Sequence, residues 1–332
     1  MIPRTCWCGS TEHHEFSPEY VRCAACGTLV SCVGLSDDEL KVADDDADFY
    51  GKKYWLEHQN QDLGFPNIFQ RAKRDLTDRN LHWLKTLLRY KAPPSKVLEM
   101  GCSHGSFVAL LRQAGYDASG MEMSPWVVEF AQETFDIPML VGPVENTELE
   151  AGTFDVVALM DVLEHLPDPV GTMSHALRLL KPDGILLIQT PQAKDEMTYP
   201  ALVESNAPFL EQFKSDEHLY LFTQSSATTL FERLGASFVQ FEPPIFYQYD
   251  MFFVVSRQPI AAVSAEEATK ALETPKGRFV QALLDQDEEI KRLNEHVKLI
   301  DADREARLEQ IHTLTKMIQE KQGMPLAKFR PR

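Results

Sequence analysis

The sequence predicts an α/β protein built on a mainly parallel sheet, with a small cysteine-rich segment before it and a long helix after it. Three observations point there. Between residues 95 and 257 short apolar runs alternate with helix-length amphipathic stretches, the pattern of βαβ units whose helices cover both faces of a sheet. Four of the six cysteines fall in two close pairs near the start, and from Phe279 to Lys321 neither Pro nor Gly interrupts a helical pattern. The 332 residues exceed the usual domain of roughly 100–200, while 44% apolar and 25% charged residues make an ordinary globular composition.

Taken in order, the chain opens with Cys6-x-Cys8 and Cys23-x-x-Cys26, leaving Cys32 and Cys102 apart. No apolar stretch of 7–15 residues follows Arg4, so no export signal is expected and disulfides would be reduced. Paired thiols with nearby Gly turns then read as a structural Zn²⁺ site of the ribbon type, held by Cys6, Cys8, Cys23 and Cys26. The first pair has one intervening residue where two to four are usual, which leaves His13 or His14 as a substitute ligand and four reduced thiols in a small apolar lobe as the plainer reading. The acidic stretch at 36–50 reads as a solvated loop or helix start. Phe69, Ala72, Leu76, Trp83, Leu84 and Leu87 then fit one face of a helix from Pro66 to Tyr90, ended by Pro93-Pro94.

The repeating unit follows. "KVLEM" is a strand, "SFVALLRQAG" a helix closed by Gly115, "DASGMEM" a strand and "PWVVEFAQETF" a helix with Pro125 in its first turn. "TFDVVALMD" is a strand, "PVGTMSHALRLLKPDG" a helix and "GILLIQTP" a strand; a further helix precedes the strands "FVQFE" and "YDMFFVVSR". The insertion at 191–216, with Tyr199, Phe209 and Phe213, lies after a strand end where loops overhang a ligand, so a lid and an ordinary packed insertion are both open. Leu283, Ile290, Leu293, Val297 and Ile300 form a coiled-coil seam, broken at Arg304 and Arg307 and resumed at Leu308, Ile311, Leu314 and Ile318. A homo-oligomerising stalk, a spacer to a partner protein, and a helix lying on its own domain remain open. The expected division is 1–35 ribbon, 36–94 helical lid or connector, 95–257 α/β domain, 258–278 linker and 279–322 coiled coil.

The strongest chemical signal is "VLEMGCSHGSF", a strand ending in Glu99 whose small residues open a helix, so that free N–H groups face a ligand. It differs from a dinucleotide fingerprint, because the sixth position counted from Gly101 is Ser106 and an acid precedes the first Gly. Glu122 ends the next strand, 23 residues on, where a carboxylate takes ribose hydroxyls. With "GMEMSPW", "FDVVALMDVLEHLPDP", "LKPDGILLIQTP" and "EHLYLFTQSSATTLFERLGA" added, the stretch 49–257 resembles the class I S-adenosylmethionine-dependent methyltransferases, in the group that includes ubiquinone-pathway O-methyltransferases and bacterial sugar methyltransferases.

That resemblance implies a Rossmann-like domain with S-adenosylmethionine as cofactor. It assigns Glu99, Gly101, Cys102, Ser103 and Gly105 to the methionine and ribose end, Glu122 and Met123 to ribose and adenine, Val144 and Glu145 to adenine, and Asp161 and Val162 to the sulfonium. The family commonly has Gly where Ser103 stands, which narrows the turn. "FYGKKYW" resembles a lid segment and makes Tyr54 a cofactor contact, with surface packing as its other reading. His165 and His218, each following a Glu, are candidate bases alongside Asp161; the same "EH" pairs also suit fold-stabilising hydrogen bonds. By resemblance the acceptor is a saccharide of surface-polysaccharide or nucleotide-sugar metabolism, methylated on oxygen. Sugar C-methylation, a small aromatic or polyketide acceptor, and a non-catalytic cofactor-binding scaffold are the rivals.

Fifty acidic against 33 basic residues give a charge of −17, which disfavours nucleic acid and anionic lipid as partners. With no run of about 20 apolar residues, a cytoplasmic location is expected. The "KFRPR" end after a helix suggests that the chain is part of a longer one.

Overall fold

The computed structural model describes residues 4–33, 39, 42, 44–62, 64 and 66–322. The ends of the expected ribbon, much of the acidic stretch and the "KFRPR" end lie outside them. Among the described residues no helix is long and apolar enough to cross a membrane. The chain divides into two units, one reaching Gln281 and one starting at Ala282.

The first unit begins with three short strands, β1 (His13–Glu15), β2 (Tyr20–Cys23) and β3 (Leu29–Ser31). A π-helical stretch, Tyr54–Asp62, leads to α1 (Ile68–Asp78) and α2 (Asn80–Leu88). The βα units follow: β4 (Lys96–Met100), α3 (Ser106–Ala114), β5 (Asp117–Glu122), α4 (Pro125–Phe135), β6 (Met139–Val141), β7 (Phe154–Met160), α5 (Pro169–Leu179) and β8 (Leu180–Pro191). Then come α6 (Tyr199–Glu204), β9 (Tyr220–Leu221), α7 (Gln224–Arg233), β10 (Phe238–Glu242), β11 (Asp250–Ser256), α8 (Ala265–Ala271) and α9 (Pro275–Gln322), which runs on into the second unit.

The main sheet has seven strands in the order β10-β11-β8-β7-β4-β5-β6. Only β11 runs against its neighbours; β8, β7, β4, β5 and β6 pair in parallel. Val97, Leu98, Val156, Val157, Leu186 and Ile188 are fully buried, as strands covered on both faces require. The strand order reverses between β4 and β7, and in such sheets ligands sit beyond the carboxyl ends of the strands at that switch.

Three local differences from the sequence reading have physical causes. The expected helix 66–90 is two helices, because Arg79 leaves helical geometry (φ −120°, ψ −47°) and turns Asn80 inward to share a 2.8 Å hydrogen bond with Ser106. The helix expected to run to Gly184 stops at Leu179, and Lys181–Gly184 is already strand, consistent with Pro182 lacking an N–H to continue a helix. Strands β6 and β9 are two or three residues long, too short for alternation to register.

The cysteine lobe is built into this unit. Its sheet takes the order β1-β2-β3-β9, so its fourth strand comes from residues 220–221. Trp7 hydrogen-bonds Thr28 at 2.9 Å, and Cys6, Trp7 and Cys23 share one core with Leu177 and Phe222. In the second unit Ile290, Val297 and Ile300 are each at least half exposed along one uninterrupted helix.

Candidate active site

The site starts from the turn after β4. Gly101, Ser103 and Gly105 all have positive φ, at 66°, 51° and 75°. A Cβ on Gly101 would lie 2.6 Å from a methyl of Val162, so glycine is required there for contact as well as conformation. Ser103 holds its left-handed backbone at a strain of about 1–2 kcal/mol; its N–H donates to Glu122 Oε2 at 3.0 Å. Glu122 Oε1 accepts from the N–H groups of Met123 (2.8 Å) and Ser124 (3.4 Å), so one carboxylate joins the ends of β4 and β5. Burial raises the Glu122 pKa while these N–H groups oppose the rise.

Glu99 is 4% exposed and its Oε2 has no partner. Burial pushes its carboxyl well above the usual range. A buried oxygen without a donor, beside a strand-to-helix turn, is what a ligand carrying N–H or O–H groups would satisfy. These residues therefore fit the polar end of S-adenosylmethionine.

A cleft of about 1580 Å³ opens over the carboxyl ends of the strands, larger than the roughly 300–1,000 Å³ that holds one small ligand. Tyr54, Glu99, Gly101, Cys102, Ser103, Glu122, Met123, Glu145, Asp161 and Val162 line it together with His165 and His218. Gly105 stands behind that surface: its Cβ would meet Ile137 at 2.4 Å, so it brings the start of α3 close to its neighbours. Glu145 follows β6 in a 3₁₀ turn and accepts a hydrogen bond from Thr172, and Val144 beside it is buried. Cys102 is buried, with Sγ 3.7 Å from Met139 Sδ.

The same cleft carries an acidic and imidazole wall. Asp161, at the end of β7, has φ 58°; its carboxylate accepts from Arg79 (3.2 Å) and Gln189 (3.0 Å). Glu164 accepts from Thr190 at 2.8 Å, and burial followed by the Asp161 charge pushes its pKa up to about 8. His165 Nδ1 donates to the Glu217 carbonyl (2.9 Å), with Tyr50 Oη at 3.1 Å, and His218 Nδ1 donates to the Gln212 carbonyl (2.8 Å). Burial lowers both imidazole pKa values, and the rings meet edge to face at 4.9 Å. Tyr54 and His58 bond Glu217 at 2.8 and 3.0 Å.

Sequence reasoning missed Arg79, Gln189 and Asp250. Asp250, buried at the first position of β11, has its pKa pushed up to about 9 by burial, then by Asp161 and Glu164. An acid opening an otherwise apolar strand was its one signal. Arg79 gave none, since it acts through a helix break that no spacing shows.

The four cysteines also meet. Cys6 Sγ lies 3.5 Å from Cys26 Sγ, Cys8 Sγ 3.6 Å from Cys23 Sγ, and all four lie within 4.8 Å of one another. A tetrahedron with 2.3 Å metal–sulfur bonds has edges of about 3.8 Å, so the set fits Zn²⁺. The hydrogen bond that Cys6 and Cys26 share lowers the Cys26 thiol and raises the Cys6 thiol, whereas a metal needs all four as thiolates. His13 and His14 are not members of this group.

A family profile described as a methyltransferase domain matches residues 71–240, just over half of the chain. The chain belongs to the class I S-adenosylmethionine-dependent methyltransferases. Among curated methyltransferases it is 34% identical over 105 residues to a ubiquinone biosynthesis O-methyltransferase of Haemophilus ducreyi, covering 29% of this chain and 44% of the relative. It is 29% identical over 132 residues to the enzyme of that name from Thiobacillus denitrificans, covering 38% of this chain and 56% of the relative. The chain thus spans about half the length of the curated relatives it matches. A solved S-adenosylmethionine-dependent methyltransferase from Aquifex aeolicus superposes with a TM-score of 0.43 at 15% identity, covering 57% of this chain and 95% of that one.

Proposed function

We propose that the protein transfers a methyl group from S-adenosylmethionine to a hydroxyl of a small acceptor, a saccharide before other hydroxylated molecules. The observation that carries this reading is a single cleft lined both by Glu99, Gly101, Ser103 and Glu122 and by Asp161, His165, His218 and aromatic rings. Glu99, Gly101, Cys102, Ser103, Glu122, Met123, Glu145, Val162 and Tyr54 would hold the cofactor. It brings a methyl group already activated by a positive sulfur. Alignment is then the chain's main task, and positioning alone can supply about 7–11 kcal/mol.

Asp161, His165 and His218 form the wall against which the acceptor hydroxyl is held, where unprotonated nitrogens and a carboxylate draw its proton away. Tyr249 and Asp161 line the same cleft and suit a sugar, whose C–H face lies on a ring while a hydroxyl donates to a carboxylate. Cys6, Cys8, Cys23 and Cys26 would hold a structural Zn²⁺, a closed set with no open coordination position.

The test is turnover of labelled S-adenosylmethionine by the full chain with nucleotide sugars, free hexoses, catechols and amines. O-methylated product and S-adenosylhomocysteine are expected with a hydroxylated acceptor. Label only on carbon or nitrogen would overturn the reading, and cofactor binding without any product would favour a scaffold.

A further inference from the structure

We infer that the second unit pairs with a second copy of this chain as a parallel, two-stranded coiled coil, held in one register by Arg304 and Arg307. Helix α9 is 48 residues long, and from Leu283 onward its apolar residues keep a strict phase of seven. One column carries Leu283, Ile290, Val297, Ile311 and Ile318. The column three residues further on carries Leu293, Ile300 and Leu314. From Ile290 to Ile318 all of these are about half exposed. Arg304 stands 14 residues after Ile290 and Arg307 14 after Leu293, so both columns pass through the arginines without a slip.

A helix with 3.6 residues per turn keeps a seven-residue stripe on one side only by winding left-handed around a partner. The stripe from Leu283 to Ile318 spans 35 residues, beyond the roughly three to four heptads that mark a coiled coil. Its side chains also set the number of strands. Ile290, Val297, Ile311 and Ile318 are β-branched, while Leu293 and Leu314 hold two of the three apolar places in the second column. That division is the one that favours two strands when the helices run parallel.

Charge complementarity identifies the partner as a second copy. In a parallel pair the residue just before the first column faces the residue five further on in the other helix. With two copies in register, Glu289 faces Asn294, His296 faces Asp301 and Asp303 faces Leu308, so no like charges meet. Sliding one copy by a heptad sets Glu289 against Asp301 or Asp287, and Arg304 against Ile311 or Val297. A polar layer within an apolar seam fixes register in this way at some cost in stability. Arg304 bonds Asp301 of its own helix at 3.1 Å and Arg307 bonds Asp303 at 2.7 Å. Each guanidinium is thus matched at the flank of the seam while its long stem covers apolar surface. The pairing uses no residue of the cleft and stands apart from the proposed acceptor.

The experiment is light scattering of the zinc-loaded full chain, followed by mild oxidation of cysteine variants. Twice the mass of one chain is expected. Two facing residues of the first column lie close enough for a disulfide in a parallel, in-register pair, so Val297→Cys should become linked in pairs that reductant separates, while the wild type stays unlinked. Chains carrying Val297→Cys mixed with chains carrying Leu314→Cys should give no mixed product, because the two positions lie about 25 Å apart along the coil. An antiparallel pair matched at the arginines would bring those two positions together. Unchanged S-adenosylhomocysteine affinity in both variants is the check on folding. A monomer at the highest soluble concentration, a trimer, a Val297→Cys dimer that stays unlinked, or the mixed product would each overturn the proposal.

Discussion

Glu122 does two things with one carboxylate: it fixes the turn of β4 through the Ser103 N–H and remains at the cleft surface where a ribose would lie. Glu122→Ala is expected to weaken S-adenosylhomocysteine binding at least about tenfold, since hydrogen bonds to a charged acceptor are worth about 1.5–3 kcal/mol; unchanged affinity in calorimetry would remove it from the cradle. Gly101→Ala should abolish binding, and adding Val162→Ala should restore only part of it. The second change removes the 2.6 Å clash but leaves the φ of 66°. Asp250 brings a pH dependence. Arg79 opposes the push of burial, Asp161 and Glu164, but the folded value still reaches about 9 against an ordinary 3.8. The unfolded chain therefore ionises first, and stability from neutral Asp250 is complete below about 3.8 and is lost as the pH climbs to about 9. In the ligand-free protein Asp250→Asn should raise the unfolding temperature at about pH 8 and barely change it near pH 4; equal shifts at both would refute this. Glu99 and Glu122 were legible because strand, acid and glycine stand side by side in the text. Arg79 and Asp161 are 82 residues apart, and only the folded sheet makes them neighbours.

Strand β9 ties the cysteine lobe to the segment that carries His218. Ser31 donates its N–H to the Leu219 carbonyl (3.0 Å) and its hydroxyl to the Ser215 carbonyl (2.8 Å), while Tyr20 donates to the His218 carbonyl at 2.9 Å. The main chain around His218 is therefore held from outside by the lobe. Tyr20→Phe leaves that carbonyl unsatisfied in a buried place, at about 1–3 kcal/mol. Slower turnover with unchanged S-adenosylhomocysteine affinity is expected, and parallel loss of both would argue for general unfolding. None of this was readable beforehand, because a two-residue strand has no period. The helix break at Arg79 escaped for the opposite reason: the apolar spacing runs on through it, and what ends the helix is the inward pull of Asn80 toward Ser106.

At the scale of the whole chain, the mainly parallel sheet followed from strand–helix alternation, whereas its strand order and the joining of lobe and sheet did not. The second unit carries Leu293, Val297, Ile300, Ile311 and Leu314 along one helix, all about half exposed. The seam fits self-association, and Leu293→Asp with Ile300→Asp should lower the mass measured by light scattering without changing cofactor binding. A monomeric wild-type chain would sink that expectation. One further consequence comes from sulfurs lying within 4.8 Å of one another in a lobe that shares its sheet with β9. Because β9 is the last strand of that sheet, any loss of the lobe's fold would take away the partner of Tyr220 and Leu221 and, next to them, the main-chain anchor of His218.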